Sequence, residues 1–191
     1  MSPADNDRTI ATMPEGLWSQ PQVSVPDLGD VEPVQRLRLP ASMTYRYNPG
    51  VSQTRYLRGL ERKKILGARS ADNPDVYVPS RGMNPTEGTP TTEQVEVGPK
   101  GTISSFCVVH IGFGVNAPPT PFVSALILPD GAAVSLYGTL LEVPIEDVRI
   151  GMRVEPVWVP DDQLAPSSEN ITHWRPIDEP DVAAELLKGH M

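Results

Sequence analysis

Between residues 93 and 159, the chain alternates between short runs of β-branched and aliphatic residues and turns that contain glycine or proline. Pro129-Asp130-Gly131 is one such turn, and a glycine stands at each end of the run 101–112. Runs of this length and spacing are typical of short β-strands joined by tight connections. The predicted strands cover residues 93–97, 101–112, 122–128, 132–138, 140–143 and 151–159.

Five or six strands within about 70 residues predict a small closed or nearly closed β-barrel. A five-stranded OB-type barrel fits the strand count, and a β-sandwich is the alternative. The chain of 191 residues contains 22 prolines and 15 glycines, which favours turns and extended segments over a helical bundle. We therefore expect a mainly β fold.

One helix is predicted before the barrel, at residues 51–66. Ser52 is the expected N-cap, and Gly67 is expected to end the helix. Three apolar side chains share one face of this helix, and three arginines lie on the other. The apolar residues are Tyr56, Leu57 and Leu60, and the arginines are Arg55, Arg58 and Arg62.

Charge is unevenly distributed along the chain. The formal net charge is −8, which argues against general nucleic-acid binding through the phosphate backbone. Residues 51–69 nevertheless contain six basic side chains and one acidic side chain, Glu61. Such a local basic surface predicts a specific anionic ligand or partner, and an ordinary solvated helix surface is the alternative.

The remaining segments are polar. Residues 1–40 are proline-rich and predict an extended arm, and residues 161–191 predict a polar C-terminal tail with a short helix at 181–188. The expected organisation is an arm at 1–40, a helix and turns at 41–92, a barrel at 93–160 and the tail. We find no secretory signal and no apolar run of the roughly 20 residues that span a bilayer, so we expect a cytoplasmic protein without a membrane segment.

The sequence contains no pattern that predicts catalysis by this chain alone. Cys107 and His110 could suggest a catalytic pair of thiol and imidazole. Residues three apart in a strand point to opposite faces, however, so this spacing argues against such a pair. Cys107 stands between Phe106 and Val108, so we expect a thiol packed in the core. The chain is expected to have no catalytic residues of its own.

The stretch 67–90 has the outline of a zinc ribbon, in which two short turns flank an extended segment at 76–78. A zinc ribbon places a Cys-x-x-Cys pair in each turn, because four thiolates complete a tetrahedral site. The four corresponding positions hold Ser70, Asn73, Asn84 and Glu87. These groups lack the thiolates that structural zinc requires, so we expect neither zinc nor another cofactor. Asn73-Pro74 and Asn84-Pro85 predict turns held by side-chain hydrogen bonds instead.

A series of short motifs over residues 40–160 resembles one known family, the acyl-CoA-associated OB-fold proteins catalogued as a domain of unknown function. The motifs, in order, are Tyr45-x-Tyr47, Gly50, Arg55-Tyr56, Ile65-Leu66-Gly67-x-Arg69, Val78-Pro79-x-Arg81, Gly101-Thr-x-x-Ser-Phe-Cys-Val-Val, Leu126-Ile-Leu-x-Asp130-Gly131 and Val148-Arg-Ile-Gly-Met-Arg-Val. The resemblance implies an N-terminal helix, a rubredoxin-like zinc ribbon and a C-terminal OB barrel. This chain departs from the family at all four zinc-ligand positions, so the metal is not carried over.

The resemblance also implies a role beside a thiolase-like enzyme. Such enzymes include lipid-transfer-protein-type thiolases and aldolases of steroid side-chain breakdown. The small protein is then a non-catalytic subunit, in a hetero-oligomer, that completes the partner's acyl-CoA site. The residues expected to bind the ligand or partner are Tyr45, Tyr47, Arg55, Tyr56, Arg58, Arg62, Lys63, Arg69 and Arg81. One alternative is a stand-alone acyl-CoA-binding module, and a second is an OB protein that binds single-stranded nucleic acid.

Overall fold

The structure is a computed structural model, and it describes residues 46–112 and 118–190. Within these ranges it contains one α-helix and seven β-strands. They are α1 (Gly50–Leu60), β1 (Ile65–Arg69), β2 (Glu93–Val97), β3 (Gly101–Val109), β4 (Phe122–Pro129), β5 (Leu136–Leu140), β6 (Arg153–Trp158) and β7 (Ile171–Pro176). The predicted arm at 1–40 and Tyr45 lie outside the described residues. No helix in the described ranges is both long and apolar enough to cross a membrane.

Five strands close into a barrel in the order β3-β4-β5-β7-β6, with β6 pairing back to β3. All neighbouring strands are antiparallel except β5 and β7, which are parallel. The closed, five-stranded arrangement confirms the predicted mainly β fold with an OB-type barrel, and the sandwich alternative is excluded. The helix α1 precedes the barrel, as predicted.

The barrel interior is filled by aliphatic side chains and one indole. Ile103, Ile127 and Val154 are completely buried, and Trp174 of β7 is 2% exposed. Gly138 of β5 provides the room for this indole, because a Cβ atom at position 138 would lie 2.5 Å from Cδ1 of Trp174. The same hydrophobic core continues to Leu60 of α1, so helix and barrel share one core.

The limits of the barrel differ from the prediction. Residues 161–191 are not a separate polar tail, because β7 lies between β5 and β6 and completes the closure. Conversely, β2 pairs with β1 in a two-stranded sheet outside the barrel. β7 was missed because its two large apolar residues, Ile171 and Trp174, stand among polar neighbours and form no apolar run. The helix predicted at 181–188 is a short 3₁₀ turn, Ala184–Leu187.

The helix α1 is shorter than predicted. It begins after Pro49, and Ser52 lies inside it rather than capping it. It ends at Leu60, because Lys63 adopts a positive φ of 58° and the Lys64 N–H donates to the Gly59 carbonyl across the turn, at 2.9 Å. The chain then enters β1, which contains Gly67, the residue expected to end the helix.

Cys107 is exposed, contrary to the prediction of a core thiol. The pairing of β3 with β4 shifts between Ile103 and Ser105, which is a bulge that changes the direction of the following side chains. Phe106 and Val108 are half-buried after this shift, and Cys107 lies on the outer face between them. The prediction rested on the apolar neighbours of Cys107 and did not include the bulge.

Candidate functional site

The four positions that replace zinc ligands come together in one cluster, here called the knuckle cluster (Ser70, Asn73, Asn84 and Glu87). Asn73 Nδ2 donates to Glu87 Oε1 at 2.8 Å. Asn84 Nδ2 lies 3.4 Å from Glu87 Oε2 and 3.5 Å from Ser70 Oγ. Asn84 is completely buried and Ser70 is 3% exposed. The two turns therefore contact each other directly through side-chain hydrogen bonds.

This set of donors does not fit the zinc that the family resemblance implies. It contains no thiolate or imidazole, and only one of its members, Glu87, is an anion. In residues 46–112 and 118–190, no three His, Cys, Asp or Glu side chains lie close enough together to hold a metal ion.

A second feature is a cavity of about 590 Å³, which we call the tyrosine cavity. It lies between α1, the segment 78–81, β5 and the loop that follows β6. Three of the predicted binding residues line it: Tyr47, Tyr56 and Arg81. A smaller cavity of about 400 Å³, which also contains Arg81, adjoins it. The structure thus brings together part of the predicted site.

Two tyrosines define the polar character of the tyrosine cavity. Tyr47 is 66% exposed, and its hydroxyl donates to Gln53 Oε1 at 2.5 Å. Tyr56 is 7% exposed, and burial raises its pKa to about 12, so its hydroxyl stays protonated at neutral pH. Arg81 is exposed and forms no ion pair with another described residue. The cavity therefore combines aromatic walls with one cation.

The predicted basic surface does not form a single anion site, because carboxylates pair with most of its cations. The pairs are Arg58–Glu61 at 2.9 Å, Lys63–Asp161 at 2.5 Å, Lys64–Glu96 at 2.6 Å and Arg69–Glu93 at 2.8 Å. The hydrogen bond from Arg69 lowers the pKa of Glu93. Arg55 and Arg62 make no ion pair within the described parts of the chain.

An exposed apolar pair that was not predicted from the sequence lies on the outside of the barrel. Leu126 of β4 and Tyr137 of β5 are direct cross-strand neighbours, and they are 41% and 69% exposed. Tyr137 also lines the tyrosine cavity, so the two features form one continuous surface. Both residues stand between inward-facing neighbours, but β4 is a continuous apolar run, so no local signal separates Leu126 from the core residues.

No arrangement in the described residues resembles a nucleophile with its base. Cys107 and His110 are both exposed, and no hydrogen bond joins them. His173 instead lies 2.8 Å from Glu142 Oε1 and 2.9 Å from the Thr172 hydroxyl. This exposed contact joins β7 to the turn after β5.

Part of the barrel matches a known protein family. Residues 94–159 match the family described as the ChsH2 C-terminal OB-fold domain. A search of curated protein sequences found no match. The matched segment contains β3, β4, β5 and β6, and it ends before β7.

Two solved structures are similar to the chain. One is described as the Ltp2-ChsH2(DUF35) aldolase; its identity is 20% and its TM-score is 0.53, over 69% of this chain and 98% of that one. The other is a protein of unknown function from the DUF35 family of Sulfolobus solfataricus, with 17% identity and a TM-score of 0.47, over 64% of this chain and 81% of that one.

The first of these structures shares the fold, and the family match covers four of the five barrel strands. Both findings agree with the resemblance seen in the sequence motifs. The family match is confined to residues 94–159, which are about a third of the chain.

Proposed function

We propose that this chain is a non-catalytic accessory subunit of a thiolase-like enzyme of the lipid-transfer-protein type, which acts on acyl-CoA thioesters in steroid side-chain or lipid degradation. The observation that carries the proposal is the match of residues 94–159 to the ChsH2 OB-fold domain. The shared fold with a chain described as belonging to the Ltp2-ChsH2(DUF35) aldolase supports it.

The exposed surface around Tyr137 supports a role in binding a protein partner. Tyr137, Leu126 and Tyr47 are large side chains that the barrel and helix leave in contact with water. Tyrosines are enriched among the residues that dominate binding energy at protein interfaces. Arg81 lies on the wall of the same cavity and adds a charged group to this surface. The predicted residues Arg55 and Arg62 extend the binding surface in this proposal.

Co-expression tests the proposal. The chain, carrying an affinity tag, is produced together with a thiolase-like protein encoded by the same genome, and the eluate is analysed by size-exclusion chromatography. We expect the two proteins to elute together at a mass above that of either one. Elution of the tagged chain alone, with the thiolase-like protein in the unbound fraction, would reject the proposed role.

The tyrosine cavity favours a second candidate, a stand-alone acyl-CoA-binding module. Its volume of about 590 Å³ falls in the range of about 300–1,000 Å³ typical of small-molecule sites. Arg81 is the cation available to a phosphate or carboxylate there. Calorimetry with CoA thioesters on the isolated chain distinguishes the two candidates, because the accessory role alone predicts no heat of binding. The paired basic surface gives no support to single-stranded nucleic-acid binding.

A further inference from the structure

We propose that the knuckle cluster joins its two turns without a metal, through hydrogen bonds whose polarity is the reverse of that in a zinc site. We call this arrangement the clamp. In a zinc ribbon, anionic ligands surround a central cation. Here, the amide N–H groups of Asn73 and Asn84 converge on the Glu87 carboxylate. The contacts Asn73–Glu87 and Asn84–Ser70 join the two turns, whereas the contact Asn84–Glu87 lies within the second turn. The clamp is a property of this chain's own residues and does not depend on the proposed function.

The backbone fixes which way each amide faces. Asn84 Oδ1 accepts the Thr86 N–H at 2.9 Å and lies 3.4 Å from the Glu87 N. Asn73 Oδ1 accepts the Asp75 N–H at 2.8 Å. Because each oxygen accepts from backbone N–H groups of its own turn, each NH₂ group must point to the opposite side, away from those N–H groups. Both NH₂ groups then face Glu87.

This orientation excludes a cation from the centre of the cluster. A bound cation needs lone pairs directed towards it, whereas the hydrogens of two NH₂ groups occupy that direction. Turning Asn84 around would present its oxygen to the centre, but it would also leave backbone N–H groups facing an NH₂ group. Because Asn84 is completely buried, that exchange would be costly. The backbone therefore maintains the inverted polarity.

The clamp joins turns that are 14 residues apart in the sequence. Between them, residues 76–78 enter the core, where Val76 is 5% exposed and Val78 is 1% exposed. The Ala68 N–H donates to the Tyr77 carbonyl at 3.0 Å and thereby links this segment to β1. Fixing the two turns therefore holds the segment against the core, which is the task that a metal performs in a zinc ribbon.

An exchange of polarity between two residues tests the clamp. Asn84→Asp keeps the shape and the acceptor for the backbone, but it places a second carboxylate opposite Glu87. We expect its Tm to fall by roughly 4–8 °C, as for a buried hydrogen bond replaced by two facing acceptors. Glu87→Gln is expected to have a smaller effect. The double variant N84D/E87Q restores one donor opposite one acceptor, and it should recover more than half of the loss.

Asn170 provides a matched control. It is 2% exposed, and its amide contacts the backbone of Ala165 through both its oxygen and its nitrogen. Asn170→Asp should also lower the Tm, but Glu87→Gln should not restore it, because the two sites are separate. The same purified wild-type chain is analysed for zinc and melted with and without excess EDTA; we expect less than about 0.1 equivalent of metal and an unchanged Tm.

Three results would overturn the inference. The first is a wild-type Tm for Asn84→Asp, which would show that the NH₂ group of Asn84 does not contribute to stability. The second is a double variant whose loss equals the sum of the two single losses. The third is zinc at one equivalent in the wild-type chain together with a Tm that EDTA lowers.

Discussion

Replacing Trp174 with alanine tests whether the C-terminal region is an integral part of the barrel. Trp174 is 2% exposed and lies in β7, beside Leu140 of β5 in the parallel pair. Its carbonyl accepts the Leu141 N–H at 2.9 Å, and its indole lies against Gly138. The alanine variant would leave a cavity where β5 and β7 meet, because the surrounding strands cannot collapse fully into the space.

The expected loss follows from the area of the indole. A buried tryptophan removes about 150–250 Å² from water. At about 25 cal/mol per Å², that burial contributes about 4–6 kcal/mol. Measured substitutions of this kind cost about 3–5 kcal/mol. We therefore expect the free energy of unfolding to fall by about 3–5 kcal/mol, out of a typical total of about 5–15 kcal/mol.

Urea unfolding followed by far-UV circular dichroism measures this loss without relying on tryptophan fluorescence. Thr172→Ala is the matched control, because Thr172 lies in the same strand but is exposed, and its hydroxyl contacts only the Val157 carbonyl and the neighbouring His173 ring. The control should lose about 1 kcal/mol or less. A loss below about 1 kcal/mol for Trp174→Ala would refute the reasoning, because β7 would then be peripheral to the core.

Three further predictions concern packing, charge and binding. Gly67→Ala should lower the Tm by roughly 5 °C or more, because a Cβ atom there would overlap the Val76 side chain; a melting curve measures it. Hydrogen bonds, first from Lys100, lower the pKa of Glu179, so this carboxylate stabilises the fold above its unfolded pKa near 4.5 and loses that effect as the pH falls. Wild type and Glu179→Gln should therefore differ in Tm at pH 7 and converge towards pH 3, whereas a constant difference would contradict the ion pair. Tyr137→Ala should weaken the partner complex about tenfold at an unchanged Tm, because Tyr137 is 69% exposed; equal affinity by calorimetry would argue against this surface.

The barrel could be predicted largely from sequence because its first four strands carry a strong local signal. β4 combines a continuous apolar run with a following turn at Asp130-Gly131, and this pattern has few alternatives. β7 has no such pattern, since only Ile171 and Trp174 pack against the core and the strand pairs with strands that are distant in sequence. Local periodicity does not report such long-range pairing. The bulge in β3 was missed for the same reason, and the expectation for Cys107 was wrong as a consequence.

The candidate site was predicted in part. The positions of the knuckle cluster followed from the spacing of two turns, and the structure brings all four residues together. The basic surface was overestimated, because its pairing with Glu93, Glu96 and Asp161 depends on how the chain folds back on itself. Tyr137 was not predicted, since an exposed tyrosine in a strand gains meaning only when its neighbours are known.

The activity of the partner enzyme gives the most direct test of the proposed function. A purified thiolase-like protein from the same genome is assayed for cleavage or formation of an acyl-CoA thioester, while increasing amounts of this chain are added. The accessory role predicts an activity that rises and reaches a plateau at a fixed molar ratio of the two proteins, with no turnover by the chain alone. An activity that stays constant across the titration would contradict the account.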